Sequence, residues 1–580
     1  MMKKALCLML TLLMLLSCCN LAAAETATYS WWIPRGEDSS YYDNYAQNPT
    51  MQYLLSTPYG GKQVSIDFWQ GIAGSERENF NNMIATGDLA DVIDLTYSDY
   101  SATTLWEDGY ILDLTDLIAE HMPNYQAFLA NSQVANEMAW CYVDGEPRQF
   151  FLVSNYLAEP FAGYCYRRDW VAKYGVNPTT GAAFTYGFDE NGKWFDDVVF
   201  PCGKTDPYYI SDWEWMLEIF ARALADQGVT DGYPTSIFYQ GVMGTGDFFT
   251  AFGGGNPWWY RDSEGNAAFG GDSESMRAYL KCMNTWYEKG WIDKHFAERS
   301  GDLYFAIDST TVHQGKVGLW IGRQAEVGNA MDIDTPLTDG IMVYGCPQPI
   351  NDIYGGEAQK NQLPTSYYLN SGYQLGVAIS TKAKTKDLVP LLKLLDVMYE
   401  PTTAKVVADG LSAEMMAQQP ADAPWVETYS KFGHANGLWA TGEPGQKYST
   451  VYLYTDVLVA NALRGNRLVK GDYELSYFTE ISRSSHLQST MDLWAMYENS
   501  GYMWPYIDGL ISTRDISRKS KIENNMKTYM NQTLPKFIMG QKDFDIDNDK
   551  DWGNYVKVLN KYGVKKVTDM YQGAIDLMKE

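Results

Sequence analysis

The sequence predicts an α/β chain folded as two lobes. Three observations carry this. Between Ala27 and Glu120, short apolar strands alternate with helical stretches, the mark of parallel sheets covered by helices. The same style starts again at Tyr164. A length of 580 residues suits two or more domains, each with an ample core.

The elements follow in order. Residues 27–33 are an apolar run ended by Pro34 and Gly36, a buried first strand. Residues 48–57 read as a helix, and 63–69 alternate as a second strand. A helix is expected from Glu76 to Ala85, ending at Gly87, then a third strand from Asp91 to Leu95. The next helix, Asp113 to Glu120, is stopped by Pro123. Tyr164 to Tyr166 is a short strand leading into a helix at Asp169–Tyr174. Gly175 to Pro207 reads as irregular. Strong helical periodicity returns at 212–226, with Gly228 beyond it, and at 275–289 before Gly290. Strands are expected at Lys316–Ile321 and Tyr373–Ser380, a helix at Asp387–Glu400, and a mostly helical C-terminal stretch.

The N-terminus reads as an export signal. Lys3 and Lys4 precede an apolar run from Ala5 to Leu16, too short to span a bilayer. Two exits are open: cleavage after Ala24, or lipid attachment at Cys18 in Leu15-Leu16-Ser17-Cys18. Either places the chain outside the cytoplasm, secreted or held at the cell surface. A net charge of −27 argues against nucleic acid and anionic membrane as partners. Past the signal, Cys141, Cys165, Cys202, Cys282 and Cys346 are scattered and odd in number. They form no disulfide framework and no zinc pattern, and read as small hydrophobes.

Several motifs then occur in one order. Ala85-Thr86-Gly87-Asp88-Leu89-Ala90-Asp91-Val92-Ile93 leads into the third strand, and Gly109-Tyr110-Ile111-Leu112-Asp113-Leu114-Thr115 opens a helix. Tyr166-Arg167-Arg168-Asp169-Trp170, Trp286 to Asp293, and Gly315-Lys316-Val317-Gly318 follow. Lys536-Phe537-Ile538 with Gly540, and Tyr555-Val556 with Leu559 and Gly563, close the series. In this the chain resembles the larger extracellular solute-binding proteins of Gram-positive bacteria, the oligosaccharide-binding components of ABC importers. Ala90 stands where that family usually has Pro. The resemblance implies a periplasmic-binding-protein-like fold of type II, with hinge closure around a carbohydrate. It implies permease subunits as partners, a monomer, and binding without catalysis. On that pattern the first lobe spans 25–160 and returns at 373–415. The second spans 161–372 and is completed by the mainly helical 416–580.

A sugar offers apolar faces and polar rims, so its site needs flat rings with fixed donors and acceptors. In open α/β folds such sites lie beyond the carboxyl ends of the strands. Trp32, Tyr97, Asp99 and Trp320 occupy or follow strand ends. Trp258 and Trp259 follow three glycines at 253–255, and Trp439 lies in a glycine-flanked loop. Arg167 either pairs with Asp169 as a hinge element or reaches the ligand. Trp213 and Trp215 lie on different faces of one helix and read as packing.

No cofactor is expected. Asp543 to Asp551 carries alternating acids, but an EF-hand fails in both registers. Lys550 or Asn548 stands where Gly is needed, and Val556 or Asn554 where Glu is needed. A loosely built calcium (Ca2+) site is the alternative there. The five histidines have no HxxxH spacing, and GxSxG and P-loop motifs are absent. Two other functions compete with sugar capture: a secreted glycoside hydrolase, which needs two suitably spaced carboxylates, and a binding protein for peptide or another solute.

Overall fold

The computed structural model describes residues 25–33, 44–72, 74–131, 133–143, 145–155, 162–190, 193–236, 248–255, 257–262, 264–298, 307, 309–323, 340–355, 373–409, 413–426, 487–494, 496, 511 and 513–579. The chain divides into two compact units, Met1–Asn155 with Gln374–Val469, and Tyr156–Tyr373 with Lys470–Glu580.

The first unit opens with β1 (Thr26–Ile33), whose last five residues are all buried. The helix Pro49–Leu55 leads to β2 (Gln63–Gln70), where burial alternates residue by residue. The helix Glu76–Thr86 then leads to β3 (Val92–Asp94). β1 pairs in parallel with both β2 and β3, Trp31 lying opposite Phe68 on one side and Val92 on the other. These positions explain the burial patterns. A central parallel strand is covered on both faces, whereas an edge strand can keep one face wet. The helix before β3 stops at Gly87, which takes the left-handed conformation (φ 71°) that only glycine adopts without strain.

Pro123 departs from expectation. It closes the helix Thr115–His121 but also sits in the first turn of another, Pro123–Ala130, where its missing N–H costs nothing. The helix Gln133–Ala139 follows, then a small hairpin, β4 (Cys141–Val143) and β5 (Glu146–Arg148), and β6 (Val153–Asn155).

The second unit begins with β7 (Ala162–Arg167) and the helix Arg168–Tyr174. The stretch read as irregular contains a hairpin, β8 (Tyr186–Phe188) and β9 (Trp194–Asp196). The helix Ile210–Asp226 and β10 (Tyr233–Thr235) follow. Next come the hairpin β11 (Trp259–Arg261) and β12 (Ala267–Phe269), and the helix Glu274–Glu288. β13 (Val317–Arg323) and β14 (Val343–Cys346) complete a four-stranded sheet of order β10-β13-β7-β14. β13 is parallel to β10 and antiparallel to β7, which is antiparallel to β14.

The chain returns to the first unit through β15 (Tyr373–Leu375), which pairs with β6, and β16 (Val377–Ile379). β16 runs antiparallel to β3 and gives the first sheet the order β16-β3-β1-β2. The helix Val389–Val397 follows, and Trp425 packs edge-on against Tyr53 of the same unit. That contact carries the return past the expected end at residue 415.

The helix Leu487–Trp494 lies on the second sheet, where small residues make room for it. A Cβ at Gly163 would meet the Trp494 ring at 2.5 Å, and one at Gly345 would meet Thr490 Cγ2 at 2.2 Å. Trp494 Nε1 donates to the Tyr164 carbonyl at 3.1 Å. Three helices, Thr513–Ile538, Asp549–Tyr562 and Val564–Lys579, end the chain. They pack on the β11–β12 hairpin side, with Tyr555 donating to the Gly271 carbonyl.

Candidate functional site

β1, β2 and β3 run parallel, so their carboxyl ends share one edge of the first sheet. β2 is followed by Gly71, Ile72, Gly74 and Ser75 and the helix Glu76–Thr86, and β3 hands over to residues 95–101. The two stretches meet. Arg77 is ion-paired to Asp99, and Asn81 Nδ2 donates to the other Asp99 oxygen at 3.5 Å. Between them lies an open recess of about 570 Å³, lined by Gly74 to Glu78, Asn81, Asn82 and Tyr97.

Local chemistry holds both walls. Gly74 has φ 81° and donates its N–H to Glu76 Oε1 at 2.8 Å. Asn79 Nδ2 donates to the Ser75 carbonyl at 2.7 Å. A Cβ at Gly71 would lie 2.8 Å from that same nitrogen, so the turn closes against Asn79 only because position 71 has no side chain. On the other wall, Asp94 Oδ1 accepts from the Thr96 N–H and Ser98 Oγ from the Tyr100 N–H. Ser101 caps the helix Ala102–Glu107 by accepting from the Thr104 N–H.

Below this edge, Asp91 ties β1 to the returning chain. Its Oδ2 accepts from Ser30 N (2.6 Å), Ser30 Oγ (3.0 Å) and Lys386 Nζ (2.7 Å). Burial alone would raise the Asp91 carboxyl, but the Lys386 and Ser30 bonds outweigh it and hold it below the usual carboxylate range.

The recess offers donors (Arg77, Asn81, Asn82) and acceptors (Glu76, Glu78) from one helix and an aromatic ring (Tyr97) from the loop after β3. That set can hydrogen-bond hydroxyl groups and stack on an apolar face.

Of the residues singled out from sequence, the structure brings Tyr97 and Asp99 to this edge. Trp32, Arg167, Trp258, Trp259 and Trp320 do not line the recess. Trp32 is 4 % exposed in β1 and packs edge-on against Phe80, on the core side of its strand. Trp320 is 1 % exposed in the middle of the second sheet, opposite Cys165, and is a core residue. Trp259 is 3 % exposed; its ring packs on Phe269 and Tyr571, and its Nε1 donates to Thr568 Oγ1 at 3.0 Å. Trp258 is half-buried, edge-on to Trp259 and Phe269. Arg167 is buried. It holds Asp169 through two bonds, donates to the Val312 carbonyl, and stacks over Trp170. Trp32, Trp259, Trp320 and Arg167 are thus buried, and Arg167 pairs with Asp169 as one of its two sequence readings has it. Trp439 lies outside the described residues, as do the N-terminal signal and Cys18. Trp213 is fully buried and Trp215 half-buried.

Sequence reasoning missed Arg77, Asn81 and Asn82. The rule that found Tyr97, which looks just beyond a parallel strand, applies equally to β2 and would have reached them.

Asp547 is ion-paired to Lys281 and Asp549 to Arg277, so these acids point at separate cations. Among the described residues no three His, Cys, Asp or Glu side chains converge as metal ligands. Among the described residues no disulfide is formed, and no described helix is long and apolar enough to cross a membrane.

No protein-family model and no curated protein matches the sequence. Solved structures do match the fold. An extracellular solute-binding protein from Bifidobacterium longum subsp. infantis aligns with a TM-score of 0.62 at 14 % identity, over 96 % of this chain and all of that one. The Streptococcus pneumoniae ABC-transporter substrate-binding protein FusA, in complex with kestose, aligns at 0.55 and 17 % identity over 96 % and 99 % of the two chains. The alginate-binding protein AlgQ2 without calcium ion aligns at 0.53 and 17 %, over 96 % and 98 %. A further structure of FusA is described as an EF-hand mutant. The chain therefore has the fold of the solute-binding proteins of ABC transporters.

Proposed function

We propose that this chain is the extracellular binding component of an ABC importer and captures an oligosaccharide. The observation that carries the reading is the recess beyond β2 and β3. There Tyr97, Arg77 and Asn81 combine a ring with hydrogen-bonding groups at the edge where open α/β sheets receive ligands. The solved structures of like fold support it, two of them being described as binding kestose and alginate. The N-terminal Lys-then-apolar sequence supports export, through cleavage after Ala24 or lipid attachment at Cys18. In this reading permease subunits are the protein partners and the chain does no chemistry on the sugar.

A thermal-shift screen of the mature protein against mono- and oligosaccharides and short peptides tests this. A ligand present at 100 times its Kd stabilises the folded state by about 2.7 kcal/mol, a shift of several degrees. The reading expects such a shift with one or more oligosaccharides, no shift with peptides, and unchanged sugar after prolonged incubation. A shift confined to peptides, or release of reducing ends, would refute it.

A further inference from the structure

We infer that the recess selects uncharged saccharides and rejects uronate-bearing ones, an inference that rests on the sugar-capture reading above. The described groups at the recess are unbalanced in charge. Glu76 and Glu78 line it and Arg77 is the cation among its lining residues. Arg77 is already ion-paired to Asp99, which also receives Asn81. The guanidinium is thus compensated, and two further carboxylates remain. A sugar carboxylate seated here would face like charges, and like-charge juxtaposition is a strong means of rejecting a partner.

The start of the helix Glu76–Thr86 does not reverse this. A helix N-terminus attracts anions in general, but Glu76 and Glu78 occupy its first turn and already complement it. The chain's net charge of −27 adds long-range repulsion of the same sign. A neutral sugar meets no such barrier. Its hydroxyls both donate and accept, so adjacent hydroxyls suit a guanidinium and a carboxylate held side by side.

The experiment is calorimetric titration of the mature protein with neutral tetrasaccharides of glucose, galactose, mannose and fructose units, and with tetrauronates of guluronate, mannuronate and galacturonate. It is run at 20 and 300 mM salt on wild type, Asp99→Asn and Glu78→Gln. Both carboxylates are exposed, so the variants keep the fold, with circular dichroism as the check. Wild type is expected to bind a neutral tetrasaccharide at least tenfold more tightly than any tetrauronate, with the gap narrowing at high salt. Asp99→Asn, which frees Arg77, is expected to move the preference at least tenfold toward uronates. Tighter binding of a tetrauronate by wild type overturns the selectivity while leaving sugar capture intact. Neutral binding with an unmoved preference in both variants also overturns it, because the ligand then lies away from the recess. Binding of no saccharide at all removes the underlying reading and the inference with it.

Discussion

Arg77, on the helix that follows β2, is ion-paired to Asp99, in the loop that follows β3. The pair joins the two walls of the recess although both side chains are largely exposed to water. An exposed pair of this kind contributes only about 0.2–1 kcal/mol to stability. Arg77→Ala should therefore leave the melting temperature within about 2 °C of wild type, while weakening oligosaccharide binding roughly tenfold or more. Melting curves with and without sugar separate the two effects. A large loss of stability with unchanged affinity would make the pair a structural brace.

Asp91 and Lys386 form a different kind of pair. The carboxylate is fully buried and the ammonium part-exposed. Because the folded protein holds Asp91 below the usual carboxylate range, the unfolded chain binds its proton more tightly. The pair therefore stabilises the first unit above about pH 4, and that contribution fades as pH falls through the lowered value. Lys386→Met should cost about 1–2 kcal/mol at pH 7, discounted for the exposed ammonium, and clearly less at pH 3. Urea unfolding at the two pH values measures this. An equal loss at both would show that the ion pair contributes nothing.

Gly345 tests how the helix Leu487–Trp494 seats on the second sheet. A Cβ there would sit 2.2 Å from Thr490 Cγ2, so Gly345→Ala must push the helix away at a cost of about 1–3 kcal/mol. Thr490→Ser removes the obstructing methyl and keeps the hydroxyl that accepts from the Gly345 N–H at 3.2 Å. The double variant should recover part of the lost melting temperature. Additive losses would place the helix elsewhere.

Trp259 and Trp320 should behave as core residues. Trp320→Ala is expected to cost about 3–5 kcal/mol. Trp259→Phe keeps a ring against Phe269 but loses the bond to Thr568, about 0.5–1.5 kcal/mol. Adding Thr568→Val to Trp259→Phe should cost little more, since the bond is already gone. Chemical denaturation of the four proteins of this cycle checks the coupling.

Much of the fold was legible because the physics is local. Apolar runs, alternation at 63–69, and glycines at 87 and 290 placed strands and helix ends within one to three residues. Pro123 misled because one residue can end a helix and start the next. The β8–β9 hairpin was hidden because three-residue strands carry little periodicity. For the site, a strand end marks an address but not a face. Tyr97 and Asp99 lie in a loop and reach the sheet edge. Trp32 and Trp320 lie within strands, where neighbours across the sheet decide which side is buried, and that is not written in the local sequence. Arg77 was within reach of the same strand-end rule applied to β2, but its pairing with Asp99, 22 positions away, is not written in the local sequence.

The most direct test is calorimetric titration of the best-bound oligosaccharide into wild type, Tyr97→Ala and Trp258→Ala. The account predicts saturable binding by wild type and a loss of at least tenfold in affinity for Tyr97→Ala, with its melting temperature preserved. Trp258→Ala tests separately whether that half-buried ring takes part in binding. Undiminished affinity in Tyr97→Ala would contradict the account, because the edge beyond β2 and β3 would then have no part in holding the sugar.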